Sequence, residues 1–138
     1  MKYFLSLLLI FSSSIQAHHW FQETYDVEQL MTVEIEITDV RFTNPHPFFS
    51  ARVIDALSED IDAVGDMSEE WELQMDNLWE LQELGFTKET FLPGDKMTVT
   101  SHPGIFSRNV FYVKAIEHPR LDFRYEHNVR QLLELTDP

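Results

Sequence analysis

The sequence predicts a mainly β fold, an OB-like barrel of five strands with one helix between the third and fourth strands. A long, bent hairpin comes first in the chain, and further short alternating segments follow it. A single capped helical segment interrupts them. A helix in that position plugs one end of an OB barrel, so the order of the elements favours this architecture.

The first strand carries the clearest strand signal of the chain. Its apolar residues alternate with polar ones, at Val33, Ile35 and Ile37, which is typical of a half-buried strand. The next apolar residues are Val40 and Phe42, so the inward face changes from odd to even numbers. This change predicts a β-bulge across Thr38 and Asp39, and a bulge bends a strand as a barrel requires.

The turn after this strand contains a histidine. The residues at 44–47 are Asn-Pro-His-Pro, and proline cannot donate a hydrogen bond to a strand ladder. The chain is therefore expected to turn here and to return in a second strand over about 48–55. The prediction places His46 at the tip of the hairpin, between two prolines.

The remaining predicted elements are shorter. A third strand is expected over 71–75, and Asn77 and Glu80 form a capping box at the start of a helix that Gly85 ends. The large apolar residues of this helix are expected to face the core: Leu78, Trp79, Leu81 and Leu84. Further strands are predicted over 96–101, 108–116 and, shortest of all, 121–125.

Residues 1–17 have the features of a signal peptide. Lys2 precedes an apolar run over 4–11, and small and polar residues follow it as far as Ala17. Cleavage after Ala17 leaves a barrel domain over 18–119 and a C-terminal tail over 120–138. The chain is therefore expected to be periplasmic or secreted in a bacterium, without a stable membrane anchor after cleavage. A retained N-terminal anchor is the alternative.

Composition argues against several classes of function. The formal net charge is −14, and it becomes −15 if Lys2 leaves with the signal peptide. Such an acidic chain repels phosphate backbones, so no nucleic acid partner is expected. The absence of cysteine excludes thiolate catalysis, disulfides and cysteine-based zinc sites. No nucleophile, phosphate-binding or dinucleotide motif is found, so the sequence does not predict an enzyme.

The histidines suggest a transition-metal site. After cleavage the chain would begin with His18 and His19, and an α-amine with an adjacent imidazole can chelate one ion. His46 is the expected further ligand and His102 a reserve ligand, for copper or zinc. The alternative is that His18 and His19 are only the polar start of a segment that packs on the barrel.

A second function remains open, that of a binding module for a small ligand or a periplasmic protein partner. OB-like barrels hold extended ligands on the face and loops around strands two and three. The candidate ligand-binding residues there are Asn44, Phe48 and Trp71. Burial of the aromatic residues in the core is the alternative.

Several motifs together resemble the domain-of-unknown-function 6152 family, a group of small secreted bacterial proteins. They are His18-His19-x-Phe21, Thr43-Asn44-Pro45-His46, Trp71-Glu72-Leu73, Leu84-Gly85-Phe86-Thr87 and Leu92-Pro93-Gly94-Asp95-Lys96-Met97-Thr98-Val99. The resemblance covers about residues 17–118. It implies export, a single β-rich domain, and a role for the histidines at 18, 19 and 46, but it implies no activity. The turn at 102–104, the acidic insert at 58–70 and the tail after 119 depart from the family pattern.

Overall fold

The computed structural model describes residues 21, 23–59 and 65–127. Within them the chain forms a closed, mixed barrel of five strands, with a sixth strand at its edge and one short helix between the third and fourth strands. The elements are β1 Met31–Arg41, β2 Phe48–Ala56, β3 Glu70–Gln74, α1 Leu78–Glu83, β4 Lys96–Pro103, β5 Val110–His118, a 3-10 helix Pro119–Leu121 and β6 Phe123–Glu126. The predicted OB-like barrel with one helix is confirmed.

The barrel closes through its one parallel strand pair. The sheet order is β3-β2-β1-β4-β5-β6, and β3 also pairs with β5. β3 lies beside the first residues of β5, with Glu72 opposite Val110, whereas β6 lies beside its last residues, with Ala115 opposite Glu126. β3 and β6 therefore occupy the same edge of β5, one after the other.

β1 bends where the sequence predicts. Its pairing with β2 shifts register between Ile37 and Asp39, which confirms the bulge, and it shifts again between Glu34 and Ile35. β1 pairs with β2 on one side and with β4 on the other. A strand that serves both halves of a barrel must coil strongly, and bulges allow this without loss of the remaining ladder.

The core fills the barrel with aliphatic and aromatic side chains. The alternating residues of β1 point inward, and Val33, Ile35 and Ile37 are buried. Trp71 is also fully buried and stacks on Phe111 with ring centroids 4.0 Å apart. Each such side chain contributes roughly 1.5–3 kcal/mol on burial, so this core is the main source of stability.

Helix α1 is shorter than its leucine spacing suggests. The Asn77 side chain accepts the predicted capping bond from the backbone N–H of Glu80 at 2.9 Å. Leu81 is buried, but Leu84 lies beyond the helix end at Glu83, and Trp79 is 64% exposed. The expectation that Trp79 and Leu84 face the core is therefore wrong, since only one turn of the helix contacts the barrel.

An ionic cluster around the buried Asp95 joins the start of β4 to the end of β5. The Asp95 carboxylate accepts hydrogen bonds from Arg120 Nε at 2.7 Å and Arg120 Nη2 at 2.8 Å. It also accepts one from His118 Nε2 at 3.0 Å, and the His118 side chain has no exposed surface. The Arg120 guanidinium lowers the pKa of Asp95 to about 2. Every charge here has an opposite partner, so the cluster is a structural clamp.

Candidate functional site

The Asn-Pro-His-Pro turn is clamped against the chain that leaves β3. Backbone N–H groups of Met75 and Leu78 donate to the carbonyls of Pro47 and Pro45, at 2.8 and 3.0 Å. The Nδ1 atom of His46 lies 3.2 Å from the carbonyl oxygen of Met75. Because a carbonyl only accepts, Nδ1 carries a proton, and in the neutral ring Nε2 then holds the lone pair. The half-buried ring of His46 is thus oriented with one free ligand atom.

A second histidine, His127, pairs with Asp76, the residue that follows Met75. His127 follows β6, and its backbone N–H donates to the carbonyl of Lys114 at 2.6 Å. Its Nδ1 atom lies 2.9 Å from Asp76 Oδ2, and each of the two side chains is 12% exposed. The Nε2 atom of His127 is buried and has no hydrogen-bond partner among the described residues.

Two carboxyl groups meet beside His127. Burial raises the pKa of Asp76, but hydrogen bonds with His127, Glu80 and the backbone of Asn77 outweigh it and lower the pKa to about 2. The hydrogen bond with Asp76 raises the pKa of Glu80, because the two carboxyl groups share a proton more easily than they carry two charges. Within the described residues neither acid pairs with an arginine or a lysine, so the local charge is negative.

The first described residues pack on the same side of the barrel. The ring of Phe21 contacts the ring of Tyr112 edge-on at 4.6 Å, and Tyr112 in turn contacts His127 at 5.8 Å. The hydroxyl of Tyr25 donates to Gln74 Oε1 at the end of β3, at 2.9 Å. We call the surface formed by His46, Asp76, Glu80, Tyr112 and His127 the β3-end surface, and Phe21 borders it.

His102 lies one strand away, opposite Tyr112 in the ladder of β4 and β5. It is only 3% exposed, and its Nδ1 atom donates to the carbonyl of Gln29 at 2.8 Å. Burial lowers the pKa of its imidazole, so the ring is neutral at pH 7. Its Nε2 atom is buried and has no hydrogen-bond partner in the described part of the chain.

The other predicted site residues are scattered. His18 and His19 lie outside the described residues. Asn44 is exposed, Phe48 is half-buried with the Arg41 guanidinium 4.0 Å from its ring centroid, and Trp71 belongs to the core. Among the residues that the structure describes, no group of three or more histidine or acidic side chains is arranged to hold a metal ion.

A cleft opens elsewhere, between the first described residues and the loop that connects β4 to β5. Its volume is about 320 Å³. The residues that line it are Asp26, Gln29, Pro103, Gly104, Ile105, Phe106, Ser107 and Arg108. The Phe106 side chain is 89% exposed, and the exposed Arg108 lines the same cleft. None of the predicted ligand-binding residues contributes to this cleft.

The fold and these motifs define a class of small, OB-like β-barrel proteins. The chain belongs to the family of unknown function DUF6152, whose profile matches residues 7–109, and this confirms the resemblance. His46, Asp76 and Glu80 lie within the matched region, whereas His127 lies beyond it. Neither a curated protein nor a solved structure was found to match the chain. In the described ranges, no helix is long and apolar enough to cross a membrane.

Sequence reasoning missed the pairing of Asp76 with His127. Asp76 directly precedes the helix N-cap, and a carboxylate at that position suggests a local hydrogen bond at the helix start. Asp76 does accept a hydrogen bond from the backbone N–H of Asn77 at 2.7 Å. His127 belongs to the segment that the sequence assigns to a tail. The only available signal was the alternation of Phe123 and Tyr125, which places a strand just before His127.

Proposed function

We propose that the protein binds one transition-metal ion, copper in first place and zinc in second, at the β3-end surface. The ligands are the α-amine and ring of His18, the ring of His19 and Nε2 of His46, and the proposal assumes cleavage after Ala17. One observation supports it above the others. Phe21, two residues after His19, packs on Tyr112 beside this surface.

The covalent reach of the chain agrees with this proposal. Residues in an extended chain advance by at most about 3.3–3.6 Å each, so His18 and His19 lie within roughly 10 Å of the Phe21 backbone. The turn that contains His46 is bonded to residues 75–78, and Tyr25 is bonded to Gln74 just before them. The segment 74–78 therefore contacts both the turn that contains His46 and the described residue Tyr25, which follows the candidate N-terminal ligands in the chain.

The donor chemistry selects the metal. Amine and imidazole nitrogens suit copper and zinc, whereas magnesium and calcium require oxygen ligands. The carbonyl of Met75 fixes the His46 tautomer, which is a common way to orient a metal-binding imidazole. Imidazole must be neutral to bind metal, so affinity is expected to fall as the pH drops below about 6.

The test is a copper titration of the chain that begins at His18, followed by calorimetry and electron paramagnetic resonance. A copy with one extra N-terminal glycine is the matched control, because it moves the α-amine without changing any side chain. Tight binding with nitrogen hyperfine structure, weakened in the control and in His46→Ala, is expected. Equal binding by the parent, the glycine copy and His46→Ala would refute this ligand set.

A second function, that of a module that binds a small apolar anion, is supported by the cleft. Its exposed Phe106 and its Arg108 offer an aromatic face and a positive charge in an otherwise acidic protein. Anilinonaphthalene sulfonate, which combines aromatic rings with an anion, is a suitable probe. Its fluorescence should rise on binding, and Phe106→Ser and Arg108→Gln should each abolish the rise. A response that neither substitution changes would exclude the cleft as the binding site.

A further inference from the structure

We infer that the cleft between the first described residues and the loop from β4 to β5 binds a small zwitterion, an amino acid or short peptide with an apolar side chain. The inference rests on the second proposed function and deepens it, because it adds a cationic group to the apolar anion. It is independent of the metal site and of the residues that would form it.

The cleft is lined by two opposite charges. Asp26 belongs to the first described residues and Arg108 to the loop from β4 to β5, and both line the cleft. Within the described part of the chain, neither side chain takes part in an ion pair. Arg108 also attracts Asp66, but hydrogen bonds from Ser68 are the main cause of the lowered pKa of Asp66. The guanidinium and the Asp26 carboxylate are therefore both available to one ligand.

The Asp26 carboxylate is held in one orientation. Its Oδ1 atom accepts a hydrogen bond from the backbone N–H of Glu28 at 3.1 Å, and its Oδ2 atom accepts one from the side-chain amide of Gln29 at 2.8 Å. A carboxylate oxygen accepts two hydrogen bonds, so each oxygen keeps one lone pair. Asp26 is also half-buried, so an ammonium group that bound there would be partly shielded from water.

The walls of the cleft are fixed to each other by the backbone. The N–H of Asp26 donates to the carbonyl of Pro103, and the N–H of Ile105 donates to that of Thr24, both at 2.8 Å. The loop then turns back tightly, because a Cβ atom at Gly104 would lie only 2.8 Å from the carbonyl oxygen that opens β5. A site whose walls are already in place loses little conformational entropy when a ligand binds.

The size and the polarity of the cleft select the ligand. A volume of about 320 Å³ is at the lower end of the roughly 300–1,000 Å³ of small-molecule sites, so a compact ligand fits. The 89% exposed ring of Phe106 offers an apolar surface for its side chain. The chain carries a formal net charge of −14, which repels a simple anion at a distance. A zwitterion has no net charge and avoids this repulsion.

The experiment compares four compounds that differ only in their charged groups or their length. L-Phenylalanine and glycyl-L-phenylalanine carry both charges, 3-phenylpropanoate lacks the amine, and phenylethylamine lacks the carboxylate. Each is titrated into the ¹⁵N-labelled protein and into its complex with anilinonaphthalene sulfonate. We expect the better zwitterion to bind at least ~10-fold more tightly than either singly charged compound, since each lost charge removes a charged hydrogen bond. Tighter binding of the dipeptide would assign a peptide ligand, and tighter binding of phenylalanine a free amino acid.

Two substitutions assign the charges of the ligand to the walls. Asp26→Asn should weaken binding of the zwitterion by ~10-fold and leave that of 3-phenylpropanoate unchanged. Arg108→Gln should weaken the zwitterion equally and leave phenylethylamine unchanged. Asp39→Asn and Arg124→Gln are the matched controls, because these exposed residues form ion pairs outside the cleft. Circular dichroism establishes that all four variants are folded.

The unmutated chain provides a separate test. Binding of the zwitterion should shift the amide resonances of residues 26–29 and 104–108. Equal affinity for the zwitterion and 3-phenylpropanoate, or shifts confined to other residues, would overturn this inference. The second proposed function would still stand if anilinonaphthalene sulfonate gave a response that Phe106→Ser abolished. A parent chain that bound neither this dye nor any of the four compounds would overturn both.

Discussion

The molecule contains two aspartate–histidine pairs, and their surroundings differ in one decisive respect. In each pair a carboxylate holds one imidazole nitrogen, at 3.0 Å in Asp95–His118 and at 2.9 Å in Asp76–His127, and the other nitrogen is buried without a partner in the described part of the chain. Asp95 is also paired with the guanidinium of Arg120. Among the described residues Asp76 pairs with no arginine or lysine, and it lies close enough to a second acid, Glu80, to raise the pKa of that group.

The difference separates a neutralised cluster from an acidic one. The Asp95 cluster is electrically complete, since its charge is neutralised by Arg120 and its carboxylate accepts four hydrogen bonds. The Asp76 cluster combines two acids that have no arginine or lysine partner among the described residues, beside an imidazole whose buried Nε2 has no hydrogen-bond partner there. A buried pair that is complete stabilises only the fold, whereas an incomplete one can be completed by a cation from solution. The predictions below test this comparison.

The largest expected effect is on stability. Asp95→Asn removes the counter-charge of Arg120 and weakens the hydrogen bonds to a buried carboxylate, so we expect the free energy of unfolding to fall by about 2 kcal/mol. Asp76→Asn removes a weaker and more accessible contact and should cost about 1 kcal/mol. Urea unfolding at pH 7 measures both, with Asp39→Asn as the control, because Asp39 forms only an exposed ion pair with Arg41. If Asp95→Asn and Asp76→Asn lowered the free energy of unfolding equally, the two aspartate–histidine pairs would not differ in their contribution to stability.

The loss of stability in acid should distinguish the two clusters by its size. The pKa of Asp95 falls from 3.8 to about 2 on folding. Its contribution is therefore present above pH 4 and is lost as the pH falls from about 4 to 2, because the unfolded chain binds the proton first. Asp76 has a lowered pKa too, but the raised pKa of Glu80 acts in the opposite direction.

Unfolding free energies at pH 7, 4 and 3 test this difference in size. The loss of stability towards low pH should be much smaller in Asp95→Asn than in the parent. It should change less in Asp76→Asn, since the opposing effect of Glu80 is removed as well. A steeper acid loss in Asp95→Asn than in the parent would contradict the lowered pKa.

The same comparison explains how much the sequence could predict. The bulge, the barrel order and the cap at Asn77 follow from residues that are close in sequence, and they were predicted correctly. The pairing of Asp76 with His127 depends on β6 lying beside the end of β5, just past the point where β3 leaves it. That placement is set by the barrel as a whole, because no local pattern in either segment specifies the partner.

The burial of individual side chains was predicted less well than the elements that carry them. Trp71 stands between two glutamates and Trp79 stands beside Leu78 in the sequence, yet Trp71 is fully buried and Trp79 is 64% exposed. The alternation of β3 fixes the inward direction of Trp71, whereas a helix of six residues gives too short a stripe to fix that of Trp79. The burial of the reserve ligand His102 depends on a distant segment, the chain at Gln29, so no local pattern indicates it.

The smallest expected effect concerns the surplus charge itself. Glu80→Gln keeps the size of the side chain and removes one carboxyl group near Asp76, so copper affinity should fall by about threefold, as expected for one charge several ångströms from the ion near a protein surface. The free energy of unfolding should change by less than about 0.5 kcal/mol, because Glu80 is exposed.

Copper titrations at two salt concentrations measure the effect, and the difference in affinity between parent and variant should shrink at high salt. Glu83→Gln, on the exposed end of the same helix, is the control. If Glu80→Gln bound copper more tightly than the parent, the negative charge beside Asp76 would oppose binding, and the two aspartate–histidine pairs would no longer differ in function.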